Sequence, residues 1–106
     1  MYVEYPHNND KETLKYKIDD YVAKLLNLKF QGNFEIVELN KSWIDFEMQY
    51  SVIIKQGVLE RRLKGVLKIK DDLIIISFEL PDTIKNFITE TKLQNLIKKH
   101  LDNIVE

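Results

Sequence analysis

The chain has no cysteine among its 106 residues, so it can form no disulfide, no cysteine-based zinc or iron–sulfur site and no thiol nucleophile. Glycine (3) and proline (2) are scarce, which argues against long irregular loops and disorder. Basic side chains number 16 and acidic ones 17, and the resulting net charge of -1 excludes a protein that binds nucleic acid through bulk positive charge.

Long apolar segments are also absent. The longest apolar run, Leu73 to Ile76, is far shorter than the roughly 20 residues that a membrane helix needs. The first ten residues lack the basic and apolar regions of a signal peptide, and with the absence of cysteine this predicts a cytoplasmic protein. The length suits one hydrophobic core, so we expect a single α+β domain over residues 1–106.

An amphipathic helix is predicted over residues 10–28. Leu14, Ile18 and Val22 recur at the spacing that places side chains on one helix face. Asn9 is the predicted N-cap, because a short polar side chain there can accept a hydrogen bond from the first helical turn.

A second helical pattern closes the chain. Pro81 and Asp82 suit a first helical turn. Two apolar stripes follow, one from Ile84 to Ile88 and one from Leu93 to Ile104. The stripes do not share one phase, so a kink or break is predicted near Thr89 to Thr91.

The middle of the chain has the period of β-strands. A short strand is predicted from Tyr2 to Tyr5, and apolar residues alternate between Phe30 and Leu80, most regularly from Ile44 to Ile54. The predicted order is β-α-β-β-β-β-α. It indicates a two-layer α+β sandwich, in which two helices cover one face of an antiparallel sheet.

Tight turns set the predicted strand registers. They are expected at Asn40 to Ser42, at Gln56-Gly57 and at Asp71-Asp72. Gly57 supplies the positive φ of the second turn, which places Tyr50 opposite Leu63. In the third hairpin, Gly65 leaves room for Phe78 on the neighbouring strand.

No combination of residues points to catalysis. His7 and His100 have no metal-ligand spacing, and the chain has neither a nucleophile elbow around serine nor a glycine-rich phosphate loop. Glu35 is expected opposite Glu47, but exposed carboxylates are usually only solvated. We therefore predict a protein that is not an enzyme and that has no catalytic residue, cofactor or metal.

A basic strip is predicted on one strand, at Arg62, Lys64, Lys68 and Lys70. Such a strip is most often a solvated sheet face with acidic neighbours. Binding of single-stranded nucleic acid would require exposed aromatic residues between the charges, and Trp43 alone is well placed. Nucleic-acid binding is therefore the third of three functional hypotheses.

Trp43 is predicted on the sheet face away from the helices, together with Val37, Leu39, Leu73 and Ile75. An apolar cluster around a tryptophan on a polar face is typical of an interface. We expect a homodimer centred on Trp43 or a protein partner at this face. The alternative is that the N-terminal strand of the same chain covers the cluster.

The chain also resembles the small polyhydroxyalkanoic-acid system proteins. Tyr5-Pro6-His7 and the helix after it are similar to the opening of that family, and the segment from Ser77 to Val105 is similar to its close. The resemblance implies a non-enzymatic accessory protein associated with storage-polymer granules, and no catalytic residue carries over from it. The first functional hypothesis is therefore an accessory or interaction module.

The second hypothesis is a protein that binds a small apolar ligand or lipid between its helices and its sheet. This arrangement is shared by other small sandwiches, so it rests on analogy of fold. It requires a large apolar cavity beside Gly65, Met48 and Phe78.

Overall fold

The computed structural model describes residues 2–24, 35–79 and 89–105. Their elements are β1 (Tyr2–Pro6), α1 (Lys11–Ala23), β2 (Glu35–Ile44), β3 (Glu47–Gln56), β4 (Leu59–Ile69), β5 (Leu73–Phe78) and α2 (Glu90–Val105). The strands form one antiparallel sheet in the order β1-β5-β4-β3-β2. The predicted α+β architecture is confirmed, and β1 lies at an edge beside β5. None of the described helices is long and apolar enough to cross a membrane.

The core lies between the helices and one face of the sheet. Leu14 and Ile18 from α1 and Ile74 from β5 are its most completely buried side chains. From α2, Leu101 and Ile104 enter the same cluster. Burial of an aliphatic side chain of this size contributes roughly 1.5–3 kcal/mol, so this apolar contact is what holds both helices on the sheet.

The first helix begins one residue later than predicted, because Asp10 and not Asn9 is its N-cap. The Asp10 carboxylate accepts hydrogen bonds from the Thr13 backbone N–H at 3.2 Å and from the Thr13 hydroxyl at 3.3 Å. Lys24 is the C-cap of α1. The predicted extension of the helix over residues 25–28 lies outside the described residues.

Helix α2 begins at Glu90, inside the predicted break. The hydroxyl of Thr89 accepts a hydrogen bond from the Lys92 backbone N–H at 3.2 Å, and its carbonyl accepts one from the Leu93 N–H at 3.0 Å. The predicted stripe from Ile84 to Ile88 lies outside the described residues.

Of the three predicted turns, Asp71-Asp72 is confirmed. Ile69 pairs with Ile74, and the Lys70 backbone N–H donates to the Leu73 carbonyl at 2.7 Å. Two aspartates suit this position, since Asp is among the residues favoured in tight turns.

The register between β3 and β4 differs from the prediction by two residues. Tyr50 pairs with Gly65 rather than with Leu63, and the loop is Gly57-Val58. Gly57 has φ 60° at the first loop position, which is where a type II′ turn requires glycine. Because the shift is even, every side chain keeps its predicted face.

The predicted loop at Asn40 to Ser42 is wrong, because these residues lie inside β2. The chain turns instead at Asp45 and Phe46, and Ile44 pairs with Glu47. Asp45 has φ 54°, a conformation that Asp adopts more readily than most residues. Apolar residues continue to alternate at Ile44, Phe46 and Met48, so the hydrophobic pattern does not reveal this turn.

A β-bulge in β2 decides which face its side chains occupy. Ile36 pairs with Ile54, and Glu38 with Ile53, so Val37 is an extra residue between them. The bulge reverses the alternation of side chains in β2. Before the bulge, the even-numbered Ile36 faces the helices; after the bulge, the odd-numbered Leu39 and Trp43 do. The prediction that Leu39 and Trp43 lie on the outer face is therefore wrong.

Candidate functional site

An apolar cavity of about 200 Å³ lies between the two helices and the sheet. Ile18 and Val22 of α1 form one wall, Ile97 and Leu101 of α2 another, and Met48 is part of its floor. An apolar cavity of about 150 Å³ can stay dry and bind benzene, so this volume suffices for a small ring or a short alkyl chain.

The aromatic ring of Tyr50 lies along the floor of the cavity. A Cβ atom at Gly65 would lie 2.5 Å from the Cζ atom of Tyr50 and 2.5 Å from the Ser77 carbonyl oxygen. The ring therefore occupies the space of the missing side chain, close to the sheet. The sequence predicted an aromatic residue over Gly65 but assigned it to Phe78, because the predicted register was wrong by two residues.

The Tyr50 hydroxyl is a polar group in apolar surroundings. Burial raises the pKa of Tyr50, and no hydrogen bond to a described residue contributes to that rise. A phenol in this environment stays protonated and can donate a hydrogen bond.

A second polar group in the wall is the pair Tyr21 and His100, which connects the two helices. The Tyr21 hydroxyl is hydrogen-bonded to Nδ1 of His100, and the two rings meet edge to face with centroids 5.6 Å apart. Burial lowers the pKa of His100, and the charge of Lys99 lowers it further, so the imidazole is neutral at pH 7. The sequence shows that His100 lacks metal-ligand spacing, but it does not predict this contact between residues 79 positions apart.

None of the described lining residues carries a full charge at pH 7. Apart from Tyr21, Tyr50 and His100, the described lining residues are aliphatic, Met or Phe. An unpaired charge in such surroundings is strongly unfavourable, whereas an apolar molecule gains free energy by leaving water. The geometry therefore fits an uncharged and mainly apolar ligand.

Trp43 lies beside α1 and not on the outer face. Its Nε1–H donates to Oδ1 of Asp19 at 2.9 Å, and the Lys41 ammonium lies 2.6 Å from the same oxygen. The Lys15 ammonium lies 5.2 Å from the Trp43 ring centroid. Trp43 therefore contacts helix α1 and is half-buried there, so it does not lie on the outer sheet face where the predicted dimer needs it.

Asp19 organises these contacts. The hydrogen bonds from Lys41 and then from Trp43 lower the pKa of Asp19, although burial acts in the opposite direction. The carboxylate therefore fastens α1 to the end of β2, where both donors lie. This role is structural, and no motif spacing predicts contacts between residues 22 or 24 positions apart.

The other residues of the predicted apolar cluster are not brought together. Leu39 packs against the core and lines the cavity, while Val37 lies at the bulge and is 43% exposed. Leu73 and Ile75 are half-buried on the outer face of β5, as predicted. Strands β3 and β4 separate them from β2, so the predicted cluster does not form.

The predicted basic strip is exposed: Arg62, Lys64 and Lys68 lie on the outer face of β4, and Lys70 follows directly after that strand. The strip has an acidic neighbour, because Lys68 faces Glu47 and its ammonium lies 3.6 Å from the Glu47 carboxylate. Arg62 donates to the Ser51 hydroxyl at 3.2 Å. Exposed pairs of this kind contribute little, roughly 0.2–1 kcal/mol.

The expected pair of carboxylates does not form either. Glu35 pairs with Lys55 near the end of β3. Glu47 lies at the beginning of β3 and pairs with Lys68 of β4. In the part of the chain that the structure describes, no three His, Asp or Glu side chains are placed to hold a metal ion.

His7 is buried, with 5% exposure. The Asn9 backbone N–H donates to Nδ1 at 3.1 Å, so Nε2 carries the proton and donates to the Lys70 carbonyl at 2.7 Å. The His7 backbone N–H donates to the Asp72 carbonyl at 3.0 Å. His7 therefore fixes the end of β1 to the β4–β5 turn, and it lies apart from the cavity.

No family model, curated protein or solved structure matches the chain. The resemblance to the polyhydroxyalkanoic-acid system proteins stays a prediction, and the functional argument below rests on the cavity.

Proposed function

We propose that this protein binds a small apolar molecule in the cavity between its two helices and its sheet. The observation that carries the proposal is the apolar volume of about 200 Å³ beside Met48, Tyr50 and Phe78. The hypothesis of a protein that binds a small apolar ligand requires a cavity beside Met48 and Phe78, and this volume borders both residues. The proposal is of a binding protein without catalytic activity.

The apolar lining supports a ligand, because an apolar molecule gains free energy by leaving water for such surroundings. A ligand that binds the folded chain and not the unfolded one also raises the free energy of unfolding.

Titration of the intact chain with toluene, followed by NMR chemical shifts, tests this proposal. We expect saturable shifts in Met48 and in other residues of the lining, and a higher melting temperature in the presence of toluene. The Val52→Phe variant places a ring in the cavity, because Val52 lines it. That variant should fold and lose the toluene-dependent shifts.

Val66→Phe is the matched control, since Val66 is the same residue type on the outer face of the neighbouring strand. It should bind toluene as the wild type does. Absence of saturable binding to the wild type, or equal loss of binding in both variants, would contradict the proposal.

A second proposal, contact with another copy of the chain, concerns the outer sheet face. None of the described helices covers this face, and Ile53, Val66 and Ile75 are half-buried on it. The basic residues of β4 lie next to acidic side chains such as Glu47, so a two-fold arrangement can pair opposite charges. This dimer replaces the one predicted around Trp43.

Sedimentation of the wild type and of Ile75→Glu at tens of micromolar tests the dimer. The wild type should sediment as a dimer and the variant as a monomer, whereas a monomer in both would contradict the proposal. Tyr16→Glu is a control that should leave the dimer intact, because Tyr16 is 77% exposed on α1, away from the outer sheet face.

The hypothesis of single-stranded nucleic-acid binding loses its one well-placed aromatic residue. Trp43 faces α1, and stacking on exposed aromatic rings is what such binding needs between basic side chains. The basic strip alone supports weak, salt-dependent attraction. Cytoplasmic location and an accessory role at storage granules likewise stay predictions from the sequence.

A further inference from the structure

We propose that the part of the ligand inside the cavity is pure hydrocarbon, without oxygen or nitrogen, and that the cavity discriminates against molecules of the same shape that carry a hydroxyl group. This inference rests on the proposed function and specifies the chemical class of the ligand. It follows from where the polar side chains of the lining lie and from the direction of the backbone hydrogen bonds around the cavity.

The polar side chains of the described lining do not present their polar atoms to the cavity. The Tyr21 hydroxyl is hydrogen-bonded to Nδ1 of His100, and Nε2 of the same ring is buried. The Tyr50 hydroxyl lies against the sheet, since it and the Ser77 carbonyl oxygen both border the space that a Cβ atom at Gly65 would occupy. The surface that the described residues turn toward the cavity is therefore almost entirely apolar.

The described backbone around the cavity offers a ligand no hydrogen bond either. Each described lining residue lies inside one of the helices or strands. In the sheet, the backbone hydrogen bonds run between strands in the plane of the sheet, whereas the side chains that line the cavity stand perpendicular to that plane. In the helices, the N–H and C=O groups point along the axis and not toward the side chains.

A hydroxyl group that enters such a cavity loses its hydrogen bonds with water and gains none in return. An apolar site discriminates against a hydroxyl by roughly ten- to a hundredfold relative to a methyl group of the same size. Toluene and phenol differ by this replacement alone, and so do ethylbenzene and benzyl alcohol. The volume of about 200 Å³ exceeds the roughly 150 Å³ that suffices for benzene, so it leaves space for any of these substituents.

Calorimetric titration of the wild-type chain with these four compounds at pH 7, where all four are uncharged, tests the inference. Toluene should bind tighter than phenol by about tenfold or more, and ethylbenzene tighter than benzyl alcohol by the same factor. A smaller ratio in either pair, with saturable binding of the hydrocarbon, would overturn the inference and leave the proposed function intact. If none of the four compounds binds, the proposed function fails as well. This comparison requires no variant, so it holds whether or not a substituted chain folds.

The Val52→Thr variant adds a hydrogen-bonding group to the lining. Val52 lines the cavity, and Thr has nearly the same shape with a hydroxyl that can donate to a ligand oxygen or accept from it. The variant should lower the ratio of toluene affinity to phenol affinity by roughly two- to tenfold, the effect of one net hydrogen bond. Val66→Thr, on the outer sheet face, is the matched control and should keep the ratio of the wild type. An unchanged ratio in Val52→Thr, or an equal change in both variants, would overturn the explanation by a missing partner.

Discussion

At the scale of single residues, Gly65 shapes the candidate site more than any charged group does. Its missing side chain lets Tyr50 lie along the sheet, which keeps the ring out of the volume below the helices. A side chain at position 65 would meet the Ser77 carbonyl as well as the Tyr50 ring, and the backbone carbonyl cannot rotate away. The site therefore depends on a glycine at this position.

We expect Gly65→Ala to lower the free energy of unfolding by about 1–3 kcal/mol, because overpacking displaces the ring and the neighbouring strand. Chemical denaturation of the variant and the wild type measures the difference. Gly57→Ala is the control: nothing lies within 4 Å of the added Cβ, so its cost comes from the positive φ alone. An unchanged stability of Gly65→Ala would contradict the contact with Ser77.

Asp19 gives the fold a dependence on acid pH. Its pKa is lowered from 3.8 by Lys41 and Trp43, so the unfolded chain binds a proton at higher pH than the folded chain does. The stabilisation is complete above the unfolded pKa and is lost as the pH falls through the folded value. We expect the free energy of unfolding of the wild type to fall below about pH 4.

The Asp19→Asn variant should lose this part of the acid dependence and should be less stable than the wild type at pH 7. Trp43 fluorescence during denaturation at a series of pH values measures both effects. Asp20→Asn is a matched control, because the Asp20 side chain is exposed and forms an i,i+4 ion pair with Lys24 within α1. Parallel pH profiles for the wild type and Asp19→Asn would refute the assignment.

At the scale of the elements, periodicity predicted which strands and helices form, and it predicted most of their buried faces. Met48, Leu67 and Ile76 are buried as the alternation required. The register between β3 and β4 was wrong by two residues, but an even shift moves no side chain to the other face. The hydrophobic pattern of these strands therefore predicts which sheet face each side chain occupies, but it does not predict which residues pair across strands.

Strand β2 shows what the pattern could not supply. The bulge at Val37 and the turn at Asp45 each depend on backbone geometry, and neither leaves a distinct hydrophobic signature. An undetected bulge reverses the apparent face of every later residue in the strand. Strict alternation therefore predicts Trp43 on the outer face, whereas its indole N–H donates to the Asp19 carboxylate of α1.

The N-cap of α1 is an element whose position can be tested directly. The Asp10 carboxylate satisfies the Thr13 backbone N–H, so Asp10→Ala should lower the free energy of unfolding by about 1 kcal/mol. Asn9→Ala is the matched control, and it should cost less because Asn9 does not cap the helix. Thermal unfolding of the two variants compares them, and a larger loss for Asn9→Ala would contradict the observed cap.

At the scale of the whole molecule, two helices cover one face of a five-stranded sheet without filling the space beneath them. The sequence predicts the two layers of helices and sheet, and it suggests a cavity near Gly65. It does not predict the volume of that cavity, because the volume depends on how far the helices lie from the sheet and not on the order of apolar residues. The Tyr21–His100 contact likewise joins residues 79 positions apart.

The central claim is that the volume between helices and sheet accepts a small apolar molecule. A crystal of the intact chain soaked with iodobenzene tests it most directly, since anomalous scattering locates the iodine without reference to any variant. We predict one iodine site bordered by Met48, Val52 and Leu101, with the ring in contact with Tyr50. An iodine-free region filled by side chains of the protein would contradict the claim.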